Sequence, residues 1–307
     1  MLVLDAGNAL FKSAISGGDP TEKARAELLL EQMNALGTTA MAVGLRDLTL
    51  GTDFLVKATQ GPNAKMKLLS ANLVDAKGNR LFPASTVVTV GGVKFGLVGI
   101  SPELVELATQ KGVVGKPPVP AAIAEARRLR AAEKVDVVVV LAAVPYPDAI
   151  RLSTEAGNAV DFILQSNEGR SPGVPQRNDY AVLVAPGDRG RQLARLELSL
   201  DGGTGPFVDL TEAERAKENL KILDSNIEQA KKRLATMKDE VSRNALQEAV
   251  NNFESRRKVL AAQAGGSTQG LKRTHRLSYL QLGSDVADDP ELKKRVERIE
   301  PPGSASH

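Results

Sequence analysis

Gly44-Leu45-Arg46-Asp47 follows Thr38 to Val43, a run of small and β-branched residues that reads as a short buried strand. In an open α/β sheet, the loop at a strand's carboxyl end is where ligands bind. Three carboxylates fall on loops of this kind: Asp5 after Leu2-Val3-Leu4, Asp47 itself, and Glu168 after Val160 to Leu164. Such a set could hold a divalent cation for hydrolysis of a phosphate ester. Arg46 offers different chemistry, because a guanidinium binds phosphate or carboxylate directly. The plainer readings make Asp5 and Asp47 turn or cap acceptors, leave Glu168 solvated, and pair Arg46 with Asp47 or Glu168.

Alternating elements must position these loops. Thr21 to Leu36 reads as a helix with Ala24, Leu28, Leu29 and Met33 on one face, stopped by Gly37. Gly51 to Lys67 reads as loop. Leu68 to Leu73 is a strand, and Val74 to Arg80 carries the Lys-Gly-Asn chemistry of a tight turn. Ser85 to Val90, Gly91-Gly92 and Val93 to Ile100 form a hairpin. After the proline-rich Lys116 to Pro120, Ala121 to Lys134 is a helix. Val135 to Leu141 is wholly apolar apart from Asp136, as expected of a central strand covered on both faces. Helix Asp148 to Ala156 and strands Val160 to Leu164, Tyr180 to Pro186 and Gln192 to Leu200 complete the pattern.

The composition narrows the function classes. With 307 residues, 42% hydrophobic and 25% charged, the chain is globular rather than disordered. Aromatics make up 3%, with no Trp, which argues against a base-stacking surface, and a net charge of +3 demands no anionic partner, so no nucleic-acid role is expected. Zero Cys removes disulfides, thiolate metal sites and cysteine nucleophiles together. The two His, His275 in an alternating strand and His307 at the end, have no supporting metal pattern. His275 is expected at the surface or in strand pairing. No apolar run is long enough for a transmembrane segment, and no signal-peptide pattern is read at the start of the sequence given. The opening, almost inside a strand, is that expected of a truncated chain or of a domain lacking its first strand.

Thr211 to Gln263 contains neither Gly nor Pro. Thr211 with Glu214 has the form of a capping box. Leu220, Leu223, Ile227, Ala230, Leu234, Met237 and Val241 then fall on alternating three- and four-residue spacings, a coiled-coil seam. Leu246, Val250, Phe253 and Leu260 continue the stripe out of register. One helix with a stutter or a reversal near Asp239 to Asn244 would each explain the offset. The alternating strand Thr274 to Leu282 must return to the sheet, and a single helix would carry it on the order of 80 Å away at ~1.5 Å per residue. An antiparallel helical hairpin is therefore expected, followed by a last helix over Asp288 to Ile299 and a tail over 301–307.

The segment MNALGTTAMAVGLRDLTLG (Met33 to Gly51), together with LDAGN, LLSANL, the Val93 to Ile100 strand, Val135 to Ala143 and VDFILQSNEG, resembles the calcineurin-like metallophosphoesterase superfamily, in its 5′-nucleotidase-like branch. The resemblance covers about Leu2 to Leu200. It implies an α/β (α+β sandwich) fold: a four-layer core of two mixed β-sheets flanked by helices, here with the helical hairpin inserted. It implies three parts, with 1–207 the phosphoesterase-like domain, 208–264 the coiled-coil arm and 265–307 a strand and helix returning to the core. Family members of this branch generally act outside the cytoplasm, so the resemblance suggests a periplasmic or extracytoplasmic location.

The family's chemistry uses two metals held by Asp, Asn and His. At the matching positions this chain carries Asn8, Leu45, Arg46, Ala143, Asn167 and Gly169, with Asp47 beside them. An apolar side chain and a cation cannot ligate a divalent metal, and a neutral amide does so poorly. The expectation is a pseudoenzyme with no cofactor, no metal site and no catalytic residue. Its arm would bind a protein partner or a second copy, most simply as a homodimer. The alternatives are a hydrolase with a non-standard site and a metal-free anion or nucleotide sensor using Arg46.

Overall fold

The computed structural model describes residues 1–15, 18–58, 65–104, 112–166, 176–177, 179–185, 190–265 and 270–301. In chain order the elements of the first part are β1 (Val3–Asp5), α1 (Pro20–Ala35), β2 (Thr38–Ala42), α2 (Thr52–Ala58), β3 (Lys67–Leu69), β4 (Leu73–Asp75), β5 (Ser85–Val90), β6 (Val93–Ile100), β7 (Val113–Gly115), α3 (Pro118–Arg128), β8 (Val137–Ala142), α4 (Tyr146–Glu155), β9 (Phe162–Gln165), β10 (Gln176–Arg177) and β11 (Val182–Val184). Then follow β12 (Gln192–Leu200), β13 (Val208–Asp209), α5 (Glu212–Thr236), α6 (Glu240–Ala264), β14 (Arg273–Gln281) and α7 (Pro290–Ile299). They divide into two compact units, residues 1–194 with 279–307, and residues 195–278.

The first unit is built on two sheets. One is β1-β2-β3, all parallel; the other has the order β10-β11-β9-β8-β6-β5, with β6, β8, β9 and β11 parallel at its centre. The strand period of two sorts their side chains. Met41 and Leu68 face a core with Ala26 and Leu30 of α1, while Val98, Ile100, Val138, Val140 and Ala142 face a core with Val119, Ala122 and Ala126 of α3 and Leu152 of α4. The alternate residues, among them Ala40, Ala42, Leu69, Leu97, Val139 and Leu141, are equally buried. They fill the space between the sheets, where β2 and β3 lie against β6. The result is four layers, helix, sheet, sheet and helix. Burial of these aliphatic side chains, at about 25 cal/mol per Å² of apolar surface, is the main force holding it.

Several local expectations are corrected. Helix α1 begins at Pro20, with Asp19 accepting from Thr21 N at 2.8 Å, and its buried residues are Ala26, Leu28 and Leu30; Leu29 is exposed. The stretch read as loop holds α2, and the single strand read at Leu68 to Leu73 is broken into β3 and β4. The break is made by a buried polar knot. Ser70 Oγ lies 2.8 Å from Ser101 Oγ, Asn72 Nδ2 donates to Ser101 O at 2.8 Å and Lys116 O at 2.7 Å, and Leu73 N donates to Ser70 Oγ at 3.2 Å. Satisfying these groups internally is what allows them to be buried.

In the second unit, β14 pairs with β13 and lies between β12 and β13. Of the two places expected for His275, surface or strand pairing, it takes the second: it is buried in this strand and pairs opposite Asp209. Helices α5 and α6 reverse over residues 237–239, and Asp239 caps α6 by accepting from Ser242 N at 2.8 Å. They run antiparallel, since Asp224 pairs with Arg257 at 2.5 Å and Glu254 with Lys231 at 2.6 Å. Leu223, Ile227, Ala230 and Val250 are buried, and Leu220, Leu234, Met237, Leu246, Phe253 and Leu260 are half-buried. Val241, placed in the seam by spacing, is 79% exposed, because the reversal ahead of it restarts the register. Thr211 forms no capping box either. Its backbone N and hydroxyl both donate to Asp209, at 2.8 and 2.7 Å, and Glu214 pairs instead with Arg276 at 3.2 Å.

Candidate functional site

The loops leaving β1, β2, β8 and β9 converge in the first unit. Asn8 takes a left-handed backbone, φ +62°, as Asn tolerates. Gly7 before it has φ +91°, and a Cβ there would sit 3.0 Å from Ala143 Cβ and 2.6 Å from Ala42 O. A Cβ on Gly44 would sit 2.4 Å from Asn8 Oδ1, so the approach of the two loops requires glycine. Past Gly44 the chain closes into a short 3₁₀ turn, Arg46–Leu48.

Asp47 is the centre of this arrangement. Fully buried, its carboxylate accepts from Asn8 N at 2.7 Å, Gly44 N at 2.8 Å and Leu10 N at 3.0 Å. Burial outweighs these three donors and pushes its carboxyl up to about 6, with the neighbouring Asp5 charge acting in the same direction. Asp5, at the end of β1, accepts from Gly7 N at 2.7 Å, and burial raises its pKa as well. Asn8 Oδ1 accepts from Arg46 N at 3.1 Å, and Ser166 Oγ donates to Ala6 O at 2.6 Å.

The structure thus brings together Asn8, Arg46, Asp47 and, through Gly7, Ala143. Leu45 precedes the 3₁₀ turn and is half-buried; Ala143 is completely buried and supplies only a methyl group. Asn167, Glu168 and Gly169 lie outside the described residues. Arg46 does not pair with Asp47, both of whose oxygens are taken by backbone amides. Ser166, which sequence reasoning passed over, joins the cluster; its only signal was its position one residue past β9.

These donors do not fit a two-metal centre. Asp47 is consumed, Asn8 Oδ1 is committed to a backbone amide, and Leu45 and Ala143 have no donor atom. Among the described residues, no three of Asp, Glu, His or Cys converge as they would around a metal ion. Nor do Asp5 and Asp47 offer a free carboxylate pair, so no hydrolytic step is derived through a metal.

No family model matches the chain, and no curated protein matches it. Solved structures do. The sulfate thiohydrolase SoxB of Thermus thermophilus matches at 24% identity and a TM-score of 0.55, over 64% of this chain and 35% of that one. A 5′-nucleotidase precursor, also from Thermus thermophilus, matches at 24% identity and 0.53, over 65% of this chain and 42% of that one. The calcineurin-like phosphoesterase YfkN of Bacillus subtilis matches at 19% identity and 0.51, over 67% of this chain and 73% of that one. The chain spans less than half the length of the first two. At these identities the likeness is one of fold, and the fold is that of the 5′-nucleotidase-like metallophosphoesterases.

Proposed function

We propose that this chain is a catalytically degenerate metallophosphoesterase-like domain that works as a scaffold. Its interaction device is the helical hairpin of α5 and α6, and the partner is a second copy of the chain. One observation carries the loss of catalysis: at the edge where ligands bind, Asn8 and Asp47 spend their oxygens on the amides of the loops around them. A pair of helices covers only one flank of each helix. Half-buried Leu220, Leu234, Leu246, Phe253 and Leu260, with Ile222 and Val259 about 60% exposed, supply the apolar surface a docked partner would cover.

Two measurements test the two halves. After incubation with manganese and zinc followed by dialysis, plasma mass spectrometry should find no stoichiometric metal. Two metals per chain would overturn the pseudoenzyme reading and open a phosphoesterase screen. Light scattering on a sizing column should give a dimer that Ile222→Glu with Val259→Glu converts to a monomer. A wild-type monomer at high concentration would remove the self-association.

A further inference from the structure

We propose that β12 is a self-pairing edge: two copies of the chain join through antiparallel pairing of their β12 strands, about a two-fold axis at Leu196. β12 is the outer strand of its sheet, and among the described residues no strand lies on its other side. Asp201 N donates to Lys272 O and Leu282 N to Arg191 O, both at 2.8 Å, so residues 191 to 201 run against residues 282 to 272 without a shift. In an antiparallel ladder, alternate residues bond to the same neighbour. The odd-numbered positions of β12 therefore bond to β14. The N–H and C=O groups of Gln192, Ala194, Leu196, Leu198 and Leu200 point to the open edge. The strand is long, at 9 residues, and carries no Pro or Gly to blunt that edge. Such an edge is a template for a further strand.

Charge decides which strand fits. The sequence reverses sign about Leu196: Arg195 and Glu197 stand one residue to either side, and Arg191 and Asp201 five residues to either side. All four of these residues are exposed. In antiparallel pairing centred on Leu196, Arg195 of each copy faces Glu197 of the other, and Arg191 faces Asp201. Opposite charges at facing positions stabilise a strand pair. Moving the axis one residue to either side sets Arg195 against Arg195 or Glu197 against Glu197, which opposes pairing. On the other face the half-buried Leu196 meets its own copy and Ala194 meets Leu198, so apolar surface is covered too. Within one chain Arg195 pairs with Glu197 at 2.6 Å, both side chains being largely in water, so little is lost when each takes a partner across the axis. The contact lies on a different element from the hairpin seam and goes beyond the docking role proposed above. It is small, so it forms at higher concentration than the hairpin contact. Two separate isologous contacts on each chain then link hairpin dimers into larger assemblies.

The test is sedimentation equilibrium at rising concentration, on full chains carrying Ile222→Glu and Val259→Glu so that the arm contact is absent. A monomer–dimer equilibrium is expected. Arg195→Glu or Glu197→Arg turns both central pairs into like charges and should weaken it by roughly tenfold or more. Mixing those two variant chains should restore pairing between them, because two acids on one chain then face two arginines on the other. Neither chain regains its internal Arg195–Glu197 pair, so a purely structural role for that pair would not produce the rescue. The register is read by disulfide trapping, since the chain has no Cys of its own. An oxidised mixture of Leu193→Cys and Ser199→Cys chains should cross-link as mixed dimers, and neither variant should cross-link alone. Circular dichroism checks that each variant is folded. A chain that stays monomeric throughout, or a mixture that pairs no better than its components, overturns the edge pairing. If wild type dimerises while the arm variant is monomeric at every concentration, this inference fails and the hairpin reading stands. If the arm variant dimerises as wild type does and Arg195→Glu dissolves that dimer, the hairpin contact fails and the edge pairing stands.

Discussion

The backbone N–H of Asn8 donates to the Asp47 carboxylate over 2.7 Å, joining residues 39 positions apart and tying the loop after β1 to the loop after β2. Two further amides, of Leu10 and Gly44, end on the same side chain. A buried carboxylate with three amide donors acts as a post on which two loops are hung. Asp47→Ala would strand those three N–H groups without water. The expected loss is about 3–5 kcal/mol of unfolding free energy in urea, since each stranded donor costs about 1–3 kcal/mol and the losses overlap. A loss below about 1 kcal/mol would mean that water reaches the loops and the post is dispensable.

The same residue gives stability a pH dependence of predictable sign. Its carboxyl is pushed from the ordinary 3.8 up to about 6, so between those values the folded chain holds a proton that the unfolded chain has released. Stability from this group is therefore present at low pH and declines as pH rises through about 6. Wild type minus Asp47→Asn isolates it from carboxylates shifted the other way, such as Glu125 and Asp209. That difference should fall by on the order of 3 kcal/mol between pH 4 and pH 7. A flat difference across that range would place the Asp47 titration near that of an ordinary carboxylate.

What could be read from the sequence was whatever rests on local pattern. The aliphatic run of β8, the Gly91-Gly92 turn between β5 and β6, and the Gly- and Pro-free stretch of α5 and α6 each announce an element by composition. The approach of Asn8, Arg46 and Asp47 was legible from their places at strand ends. What stayed hidden depends on partners far along the chain. β3 and β4 separate because Ser101 and Lys116 claim Ser70 and Asn72. Asp47 ignores Arg46 because backbone amides from the loop after β1 reach it first. At Thr211 the preceding Asp209 captures the cap that Glu214 would have shared.

Gly44 tests how tightly the two loops meet. Its missing Cβ would fall 2.4 Å from Asn8 Oδ1 and 2.8 Å from Asn8 N, a backbone atom that cannot swing away. Gly44→Ala should therefore cost about 1–3 kcal/mol, as overpacking does, although alanine is the gentlest addition. Gly78 is a control for the general cost of the change: its turn has φ +86° but open space around it. Gly78→Ala there should cost only the backbone term of about 1 kcal/mol. If the two variants melt alike, the close approach of the loops is not what selects glycine at position 44.

The hairpin offers the cleanest separation of a buried from an exposed position within one helix. Val250 is 1% exposed and Val241 is 79% exposed, nine positions earlier on α6. Val250→Ala should destabilise the helical pair by about 1–3 kcal/mol through lost burial and the cavity left behind. Val241→Ala should change it by no more than about 0.5 kcal/mol and raise helix propensity slightly. Hydrogen exchange on the amides of α5 and α6 reads the opening of this pair separately from the sheets. If Val241→Ala opened the pair as readily as Val250→Ala, Val241 would lie in the seam and the register would not restart at the reversal.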